Sequence, residues 1–517
     1  MRRKKPIPNW LSARRERLLK SRQLTLINLI CLRMIKNQQK KGECQNNGTL
    51  FNYERFGTNP DDIRRVLATA LGCGGNYSDI YFEYSIAEEV TLRDGEVNST
   101  SYDVDYGVGI RTLNGEKTGY AYSESTTLED MLSAAKMASQ IANSTNEISI
   151  PPINELRAAK NRYPIFDSWE DHPIDQRAPF LKKINDNIFS KDERVSKVIA
   201  RISTSYTEVL FANSLGESFF DIKPLASVVV SVIMEDNGKI ENYSSTKSYR
   251  MDFSMLNDEL IEELSNEAVE NCASLFDATK PKGGEMAVVM AAGKSGILLH
   301  EAIGHAFEAD FIRKGTSIFS EKLGEKICNE KINIVDDATV DFNRGSLNFD
   351  DEGVPGQKTY MVKDGVLNSF LHDRISAKYY GVAPTGNGRR ESFRYYPIPR
   401  MRATYMESGD ANEEDIIRDV KEGIYACDFS NGQVQIGEGD FTFYVKKGYL
   451  IENGKLTAPI KDINIIGNGP QALKDIVAVA NNSVINDGTW TCGKDQYCCV
   501  SCGMPTVLVS NLTVGGE

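Results

Sequence analysis

The first part of the chain alternates between helix-like and strand-like patterns of apolar residues. Asn59-Pro60 followed by Asp61 and Asp62 has the capping residue, proline and acidic first turn that predict the start of a helix. Residues 79–85 alternate between apolar and polar side chains, which is typical of a strand. Asp-Gly and Asn-Gly turns then separate predicted strands over 90–92, 104–112 and 118–123, and a helix is predicted over 128–143.

The same patterns continue to about residue 290. A helix is predicted over 175–190, then strands over 195–206, 208–213, 217–221 and 226–235, and a second helix over 255–274. A strand over 285–291 precedes a helix that contains two histidines. The remaining chain consists mostly of strand patterns and glycine turns, which predicts a curved antiparallel sheet or a partial barrel.

Together these patterns predict an α+β fold. The amino-terminal domains are α/β in composition with mostly antiparallel sheets, and a β-rich carboxy-terminal domain, curved or barrel-like, carries the helix with the histidines. A basic extension at the start of the chain and linker-like segments at 149–152 and 279–284 divide the 517 residues into four parts. These are a basic extension predicted to be disordered, two α+β domains and the β-rich domain, with predicted bounds 1–50, 51–148, 149–282 and 283–517.

Composition and charge narrow the classes of function. The formal net charge of −12 argues against direct nucleic-acid binding, which needs a basic surface. The ten cysteines show no secreted disulfide framework, so we predict reduced thiols in a cytoplasmic protein. The apolar run at 24–32 is too short to span a bilayer and has no signal-peptide cleavage site after it, so no transmembrane segment is predicted.

The strongest chemical signal is the run His300-Glu301-Ala302-Ile303-Gly304-His305, which holds two of the chain's four histidines. Two imidazoles can bind a transition metal, and a carboxylate beside them can take a proton from metal-bound water. Five residues of ideal α-helix would separate the two histidines by about 140°. Both can reach one metal only if a π-bulge or kink distorts the helix, for which Gly304 offers a position. Without a distortion, the histidines lie on different faces of an ordinary helix.

A hydrolytic zinc site needs a third protein ligand beside an open position. Three candidates are His372, Glu308 and Cys492, which lies next to a glycine where a thiolate could bind metal. Each has an ordinary alternative: a structural or substrate contact for His372, a capping carboxylate for Glu308, and a buried free thiol for Cys492. Residue spacing alone does not select among them.

Polar glycine loops are the other candidates for a site. The loop 384–390 contains Asn387, Arg389 and Arg390, and similar loops lie at 397–402 and 432–440. Such loops can bind a peptide backbone or carboxylate, and they are equally typical of tight turns in a β-rich domain. The predicted substrate contacts are His372, Asn387, Arg389 and Arg390.

Taken in order, these segments resemble the TldD/PmbA family of metallopeptidases, on its TldD-like, catalytic side. The resemblance lies in the histidine motif and in five further segments of the β-rich domain, at 350–356, 384–392, 397–401, 492–494 and 512–516. It continues more weakly through 105–111 and 117–121, and it covers roughly residues 56 to 517.

The resemblance implies a zinc peptidase with an H-E-x-x-x-H motif. In that family pattern His300, His305 and Cys492 bind Zn²⁺, and Glu301 is the general base. The PmbA-like branch lacks the histidine motif, so this chain resembles the catalytic branch. The family also implies dimers, either of two copies or with a PmbA-like subunit, around a cleft that admits unfolded peptides.

Two features depart from the family pattern. One is the basic extension, and the other is a tail rich in thiols that compete with Cys492 as ligand, namely Cys498, Cys499 and Cys502. The predicted function is hydrolysis of peptide bonds in unfolded peptides or small proteins. The alternatives are a small-molecule amidase and a non-catalytic regulator whose metal site is structural, as the older family label "modulator of DNA gyrase" suggests.

Overall fold

A computed structural model describes residues 52–144, 149–435 and 437–515. The predicted basic extension and the predicted domain boundary at residue 148 lie outside these ranges. Within them, the predicted α+β class is confirmed, with an amino-terminal antiparallel sheet and a β-rich carboxy-terminal region. No described helix combines the length and the apolar character needed to cross a bilayer.

A seven-stranded sheet organises the amino-terminal region. Its strands, in chain order, are β1 (Tyr77–Arg93), β2 (Glu96–Asn114), β3 (Lys117–Ser123), β4 (Asn154–Glu155), β5 (Val195–Asn213), β6 (Glu217–Asp236) and β7 (Lys239–Tyr249). The order across the sheet is β3-β2-β1-β5-β6, and both β4 and β7 pair with β6. All of these pairs are antiparallel except β4 with β6.

Several strands are longer than the sequence pattern predicts. The patterns at 79–85 and 90–92 form one strand, β1, and the four predicted strands between 195 and 235 form only β5 and β6. The polar stretches within them stay extended because both neighbouring strands satisfy their backbone groups. Since β1 pairs with β5, the same sheet continues on both sides of the boundary predicted at residue 148.

Four helices pack with this sheet: α1 (Pro60–Leu71), α2 (Leu128–Ser139), α3 (Ala178–Lys191) and α4 (Asp258–Leu275). All four were predicted, and their ends differ from the predicted ones by a few residues. The Asn59 side chain accepts the Asp62 N–H at 3.0 Å, which is the cap that the sequence indicates. Short 3₁₀ turns lie at Glu54–Phe56, Trp169–Asp171, Ile174–Gln176 and Phe253–Met255.

The carboxy-terminal region is built from seventeen further strands. They are β8 (Gly284–Met290), β9 (Ile334–Asp337), β10 (Lys358–Lys363), β11 (Val366–Leu367), β12 (Gly388–Arg389), β13 (Ile398–Pro399), β14 (Ala403–Met406), β15 (Glu422–Val434), β16 (Asp440–Glu452), β17 (Lys455–Ile460), β18 (Ile463–Asn468), β19 (Ile476–Val479), β20 (Val484–Ile485), β21 (Thr491–Lys494), β22 (Gln496–Cys499), β23 (Ser501–Met504) and β24 (Val507–Gly515). Short helices are α5 (Ala309–Arg313), α6 (Arg374–Tyr380), α7 (Glu413–Arg418) and α8 (Gly469–Lys474).

Five of these strands close a small barrel, in the order β15-β8-β24-β18-β16, with β16 pairing back to β15. The predicted partial barrel is therefore complete. Phe443 of β16 and Val509 of β24 belong to the main apolar cluster, which also contains Ile303 and Phe307 of the histidine segment. The barrel thus packs against the segment that carries the candidate metal ligands.

A second sheet, in the order β11-β10-β9-β14-β23-β20, and two separate pairs complete the region. One of the pairs is the hairpin of β21 and β22, which turns at Asp495 with a positive φ of 57°. This hairpin carries Cys492.

Candidate metal centre

The histidine segment is a helix that changes its winding. We call residues Lys294–Phe307 the site helix: a 3₁₀ turn (Lys294–Gly296), an α turn (Ile297–Leu299), a π turn (His300–Gly304) and a 3₁₀ turn (His305–Phe307). The His305 N–H donates to the His300 carbonyl five residues earlier, which is the hydrogen bond of a π turn. The distortion required by the five-residue spacing is therefore confirmed.

Gly304 allows this winding to pack against its neighbour. A Cβ at this position would lie 2.2 Å from the Met401 Sδ atom and 3.1 Å from the Leu299 carbonyl oxygen. A side chain at 304 would therefore push Met401 away from the back of the π turn.

The π turn brings the two histidines together, and the hairpin adds a thiol. One ligand atom from each of His300, His305 and Cys492 lies within 4.8 Å of the others. The Cys492 Sγ atom is 3.2 Å from His305 Nε2, and the two imidazole centroids are 5.1 Å apart. All three side chains are buried. The structure thus assembles the three residues that the family resemblance singles out.

Glu308 orients His305. Its Oε2 atom accepts a hydrogen bond from His305 Nδ1 at 2.9 Å, which leaves Nε2 to face Cys492. Burial raises the pKa of the Glu308 carboxyl, but the charges of Lys494, His305 and Arg400 outweigh it and lower that pKa to about 2. Glu308 is therefore neither a ligand in this arrangement nor a solvated cap, because it is fully buried behind His305.

Lys494 and Arg400 connect Glu308 to the cysteine hairpin. Lys494 Nζ is 3.2 Å from Glu308 Oε2 and donates to Asp310 Oδ1 at 2.7 Å. Arg400 donates to the Cys492 carbonyl at 2.7 Å and lies 3.8 Å from Glu308 Oε1. Cys492 and Lys494 are two residues apart, so they share one face of the strand. This two-residue spacing was the one feature of the sequence that could have placed Lys494 beside Cys492. No feature of the sequence indicated that Lys494 pairs with Glu308.

The electrostatics of the three residues favour a thiolate. Burial raises the pKa of Cys492, yet the neighbouring imidazoles of His300 and His305 lower it to about 4. In turn, burial lowers the pKa of His300 and Cys492 raises it, with a net upward shift. A thiolate beside two imidazoles is a soft donor set of the kind that binds zinc.

Glu301 lies on the open side of this group. It is partly exposed and lines a small cleft together with His300, Trp490 and Thr491. Cys502 also lines the cleft, but burial and the charge of Glu301 raise its pKa, so it is a neutral thiol. Burial likewise raises the pKa of Cys498 to about 11. Neither belongs to the group that could hold a metal.

The predicted substrate contacts lie inside the protein rather than at the cleft. Asn387 donates to Asp336 at 2.8 Å and to the Arg400 carbonyl at 2.9 Å, and Arg389 donates to the Met401 carbonyl at 2.5 Å. Arg390 donates to the Asp351 carbonyl at 3.1 Å.

His372 is buried as well, and burial lowers its pKa to about 4. Its ring packs edge-on against Phe370 and Tyr380. A substrate role therefore stays a prediction for His372, Asn387, Arg389 and Arg390. The hydrogen bonds of the last three residues connect loops inside the protein.

Two histidines from a π turn and a distant cysteine thus form a buried group that could hold a metal ion, and a carboxylate lies on the adjoining cleft. Sequence comparison agrees. Residues 78–142, 167–275 and 283–516 match domain 1, the central domain and the C-terminal domain of the PmbA/TldA metallopeptidases. The chain belongs to the PmbA/TldD metallopeptidase family, which confirms the predicted resemblance and the prediction of an enzyme.

Individual relatives carry corresponding names. The Metalloprotease TldD homolog of Haemophilus influenzae is 38% identical over 449 residues, which cover 85% of this chain and 93% of that protein. The Zinc metalloprotease TldD homolog of Saccharolobus solfataricus is 29% identical over 475 residues, covering 87% and 99%.

Solved structures share the fold. A Thermotoga maritima protein described as a modulator of a DNA gyrase has a TM-score of 0.71 at 23% identity, covering 88% of this chain and 99% of that one. TldE from Thermococcus kodakarensis has a TM-score of 0.68 at 21% identity, covering 88% and 99%.

Proposed function

We propose that this metallopeptidase is a zinc enzyme that hydrolyses peptide bonds in unfolded peptides or small proteins. The observation that carries the proposal is the buried group of His300, His305 and Cys492, whose ligand atoms lie within 4.8 Å of one another. The similarity to a relative named as a zinc metalloprotease supports the choice of metal.

The residues present fit a zinc ion. His300 Nδ1 is buried and has no hydrogen-bond partner among the described residues. His305 is oriented by Glu308, as metal-bound histidines are oriented by carboxylates in other proteins. A zinc ion held by two imidazoles and a thiolate keeps one position for water and makes that water more acidic.

Glu301 is the general base in this proposal. It directly follows His300 and faces the same cleft, so its carboxylate can take a proton from water there and return it to the leaving amine. A site with this role remains open on one side, whereas a structural zinc site is closed by four protein ligands. Among the described residues, the group that could hold a metal has three members.

The burial of the site supports a flexible substrate. His300, His305 and Cys492 are each only 5% exposed, so an extended, flexible segment is better suited to reach them than a folded surface. Binding through the backbone would give broad sequence tolerance.

The test combines metal analysis with peptide cleavage. Purified wild type, Glu301→Gln and Cys492→Ala would be compared by zinc content and by cleavage of an unstructured fluorogenic peptide. The matched control is Glu325→Gln, which changes an exposed carboxylate. We expect about one zinc per chain in wild type, zinc without cleavage in Glu301→Gln, and loss of both in Cys492→Ala. Normal cleavage by Glu301→Gln would refute the assignment of the base.

We further propose that the enzyme acts as a dimer in the cytoplasm, as two copies or with a PmbA-like subunit. Seven described cysteines are free thiols, which supports a reducing compartment; they are Cys73, Cys272, Cys328, Cys492, Cys498, Cys499 and Cys502. Light scattering of the chain alone and mixed with a PmbA-like subunit would measure the assembly, and cleavage would be assayed in both samples. Zinc binding without cleavage in either sample would favour the regulator alternative.

A further inference from the structure

Three arginines lie buried around one thiol of the cysteine-rich tail. Arg250 and Arg389 are each 4% exposed and Arg344 is 7% exposed. Among the described residues, none of the three forms an ion pair with a carboxylate within 4.0 Å. Buried cations are costly unless an anion compensates them. A negative group close to the three guanidiniums would offset this cost.

The partners of these arginines are mostly neutral. Arg344 Nε donates to the Trp490 carbonyl at 2.9 Å and its Nη1 donates to Ser248 Oγ at 2.8 Å. Arg250 Nη1 donates to a backbone carbonyl at 3.4 Å, and Arg250 Nε is buried without a hydrogen-bond partner. These contacts satisfy donors but add no negative charge.

Cys499 is the ionisable group at the centre. Its Sγ atom lies 3.6 Å from Arg250 Nη2 and 3.8 Å from Arg389 Nη2. It also lies 3.8 Å from the Arg344 carbonyl oxygen, to which the protonated thiol could donate. Burial raises the pKa of Cys499, but the charges of Arg250, Arg344 and Arg389 outweigh it and lower that pKa to about 6.

Neighbouring thiols do not share this environment. Cys498 points to the other side of the same strand, and Cys502 faces Glu301, and the pKa of each is raised by burial. Cys499 as a residue is partly exposed, unlike Cys498 and Cys502, which are buried. It is separate from the group that could hold a metal.

We propose that Cys499 is a modification site, a thiolate held by the guanidiniums of Arg250 and Arg389 that hydrogen peroxide oxidises to a sulfenic acid. The sulfur attacks one peroxide oxygen, an S–O bond forms, and the O–O bond breaks. The sulfur is oxidised by two electrons and the peroxide is reduced, and the released hydroxide takes a proton to become water. The guanidiniums would stabilise the leaving hydroxide.

The location connects this site to the metal hairpin. Cys499 pairs with Thr491 in the register of β21 and β22, next to Cys492. Arg389 donates to the Cys499 carbonyl at 2.8 Å, and Arg344 Nη2 donates to Thr491 Oγ1 at 3.3 Å. The arginines that surround the thiol thus also hold the strand that carries a candidate ligand.

The test uses the zinc-loaded full chain, dilute hydrogen peroxide and a sulfenic-acid trapping reagent at pH 6. Labelling would be followed by mass spectrometry, and fragment ions distinguish Cys498, Cys499 and Cys502 within one tryptic peptide. The matched control is Cys73, which is also partly exposed but has a neutral partner, Ser139 Oγ at 3.3 Å. Zinc loading keeps Cys492 out of the comparison, and the measurement needs no peptide cleavage.

The arginines lower the pKa of Cys499, so at pH 6 it has a larger thiolate fraction than a thiol with the usual pKa near 8.5. The larger thiolate fraction speeds the reaction of Cys499, and the weaker nucleophilicity of a thiolate with a lower pKa offsets part of that gain. We therefore expect Cys499 to react about ten-fold faster than Cys73. Arg250→Gln should slow the reaction several-fold and Arg250→Lys should largely restore it. Equal rates at the two cysteines, or preferential labelling of Cys498 or Cys502, would overturn the proposal.

Discussion

The role of Glu308 can be tested by removing its charge. This carboxylate is fully buried and 2.9 Å from His305 Nδ1, and the positive charges of its neighbours keep its pKa near 2, so it is ionised at neutral pH. Glu308→Gln keeps an oxygen that can accept the His305 N–H but removes the negative charge. Glu308→Ala removes both.

The expected loss of zinc affinity follows from these contacts. Removing the group that orients a metal-bound histidine typically costs about 10- to 100-fold in affinity. We expect about ten-fold, or about 1.4 kcal/mol, for Glu308→Gln, because the hydrogen bond remains. We expect about 100-fold for Glu308→Ala, where the imidazole is also free to rotate. Both variants should be less stable by about 3 kcal/mol, because Lys494 and Arg400 lose a buried anion.

Zinc affinity would be measured by competition with a chromophoric chelator, and stability by urea unfolding of the metal-free chain. Asp310→Asn is the matched control: Asp310 is 9% exposed and bonds Lys494 at 2.7 Å, as Glu308 does at 3.2 Å, but it is not bonded to His305. It should lower stability and leave zinc affinity unchanged. Wild-type zinc affinity in Glu308→Gln, or an equal loss in Asp310→Asn, would refute the orienting role.

Further predictions concern packing, pH and metal. Gly304→Ala should lower the free energy of unfolding by about 1–3 kcal/mol, since its Cβ would lie 2.2 Å from Met401 Sδ, and Met401→Ala in the same chain should recover part of the loss in urea unfolding. Burial raises the pKa of Glu83 to about 8, against an opposing effect of Lys223. The folded chain therefore binds a proton that the unfolded chain has lost, so stability should fall as pH rises from about 4.5 to 8. Glu83→Gln should flatten that part of the stability profile, and an unchanged slope would contradict the assignment. Treatment with a zinc chelator should abolish peptide cleavage, and added zinc should restore it; full activity in the metal-free chain would exclude the proposed function.

Local signals in the sequence predicted the four long helices and most strands of the amino-terminal sheet. The cap at Asn59, the Asp-Gly and Asn-Gly turns and the apolar periodicity placed the helices and hairpins within a few residues. The pattern divided β1, β5 and β6 into shorter strands, because alternation breaks where polar residues are paired on both sides. Pairing is a property of the sheet, so a single strand does not reveal it.

The metal centre was only partly predictable in the same way. The spacing of His300 and His305 required a distorted helix, and the π turn is present. Spacing left His372, Glu308 and Cys492 open as the third ligand, and the family resemblance chose Cys492. The residues of the glycine loops that were predicted to contact substrate form internal hydrogen bonds. Guanidinium and amide groups can bind a substrate or a neighbouring loop equally well, so the sequence pattern does not distinguish the two roles.

Residue types and their spacing along the chain are enough to identify the reactive groups and the local geometry that joins them. These are two histidines, a glutamate between them, and a glycine where the helix must change its winding. Which distant groups meet them depends on the packing of the whole chain. Cys492 is 187 residues from His305, yet its thiol lies 3.2 Å away. The contacts of Glu308 with Lys494, and of Arg250 and Arg389 with Cys499, have the same origin. Contacts of this kind depend on strand order and barrel closure. Burial of the main apolar cluster stabilises that arrangement. Residue spacing along the chain does not predict these contacts.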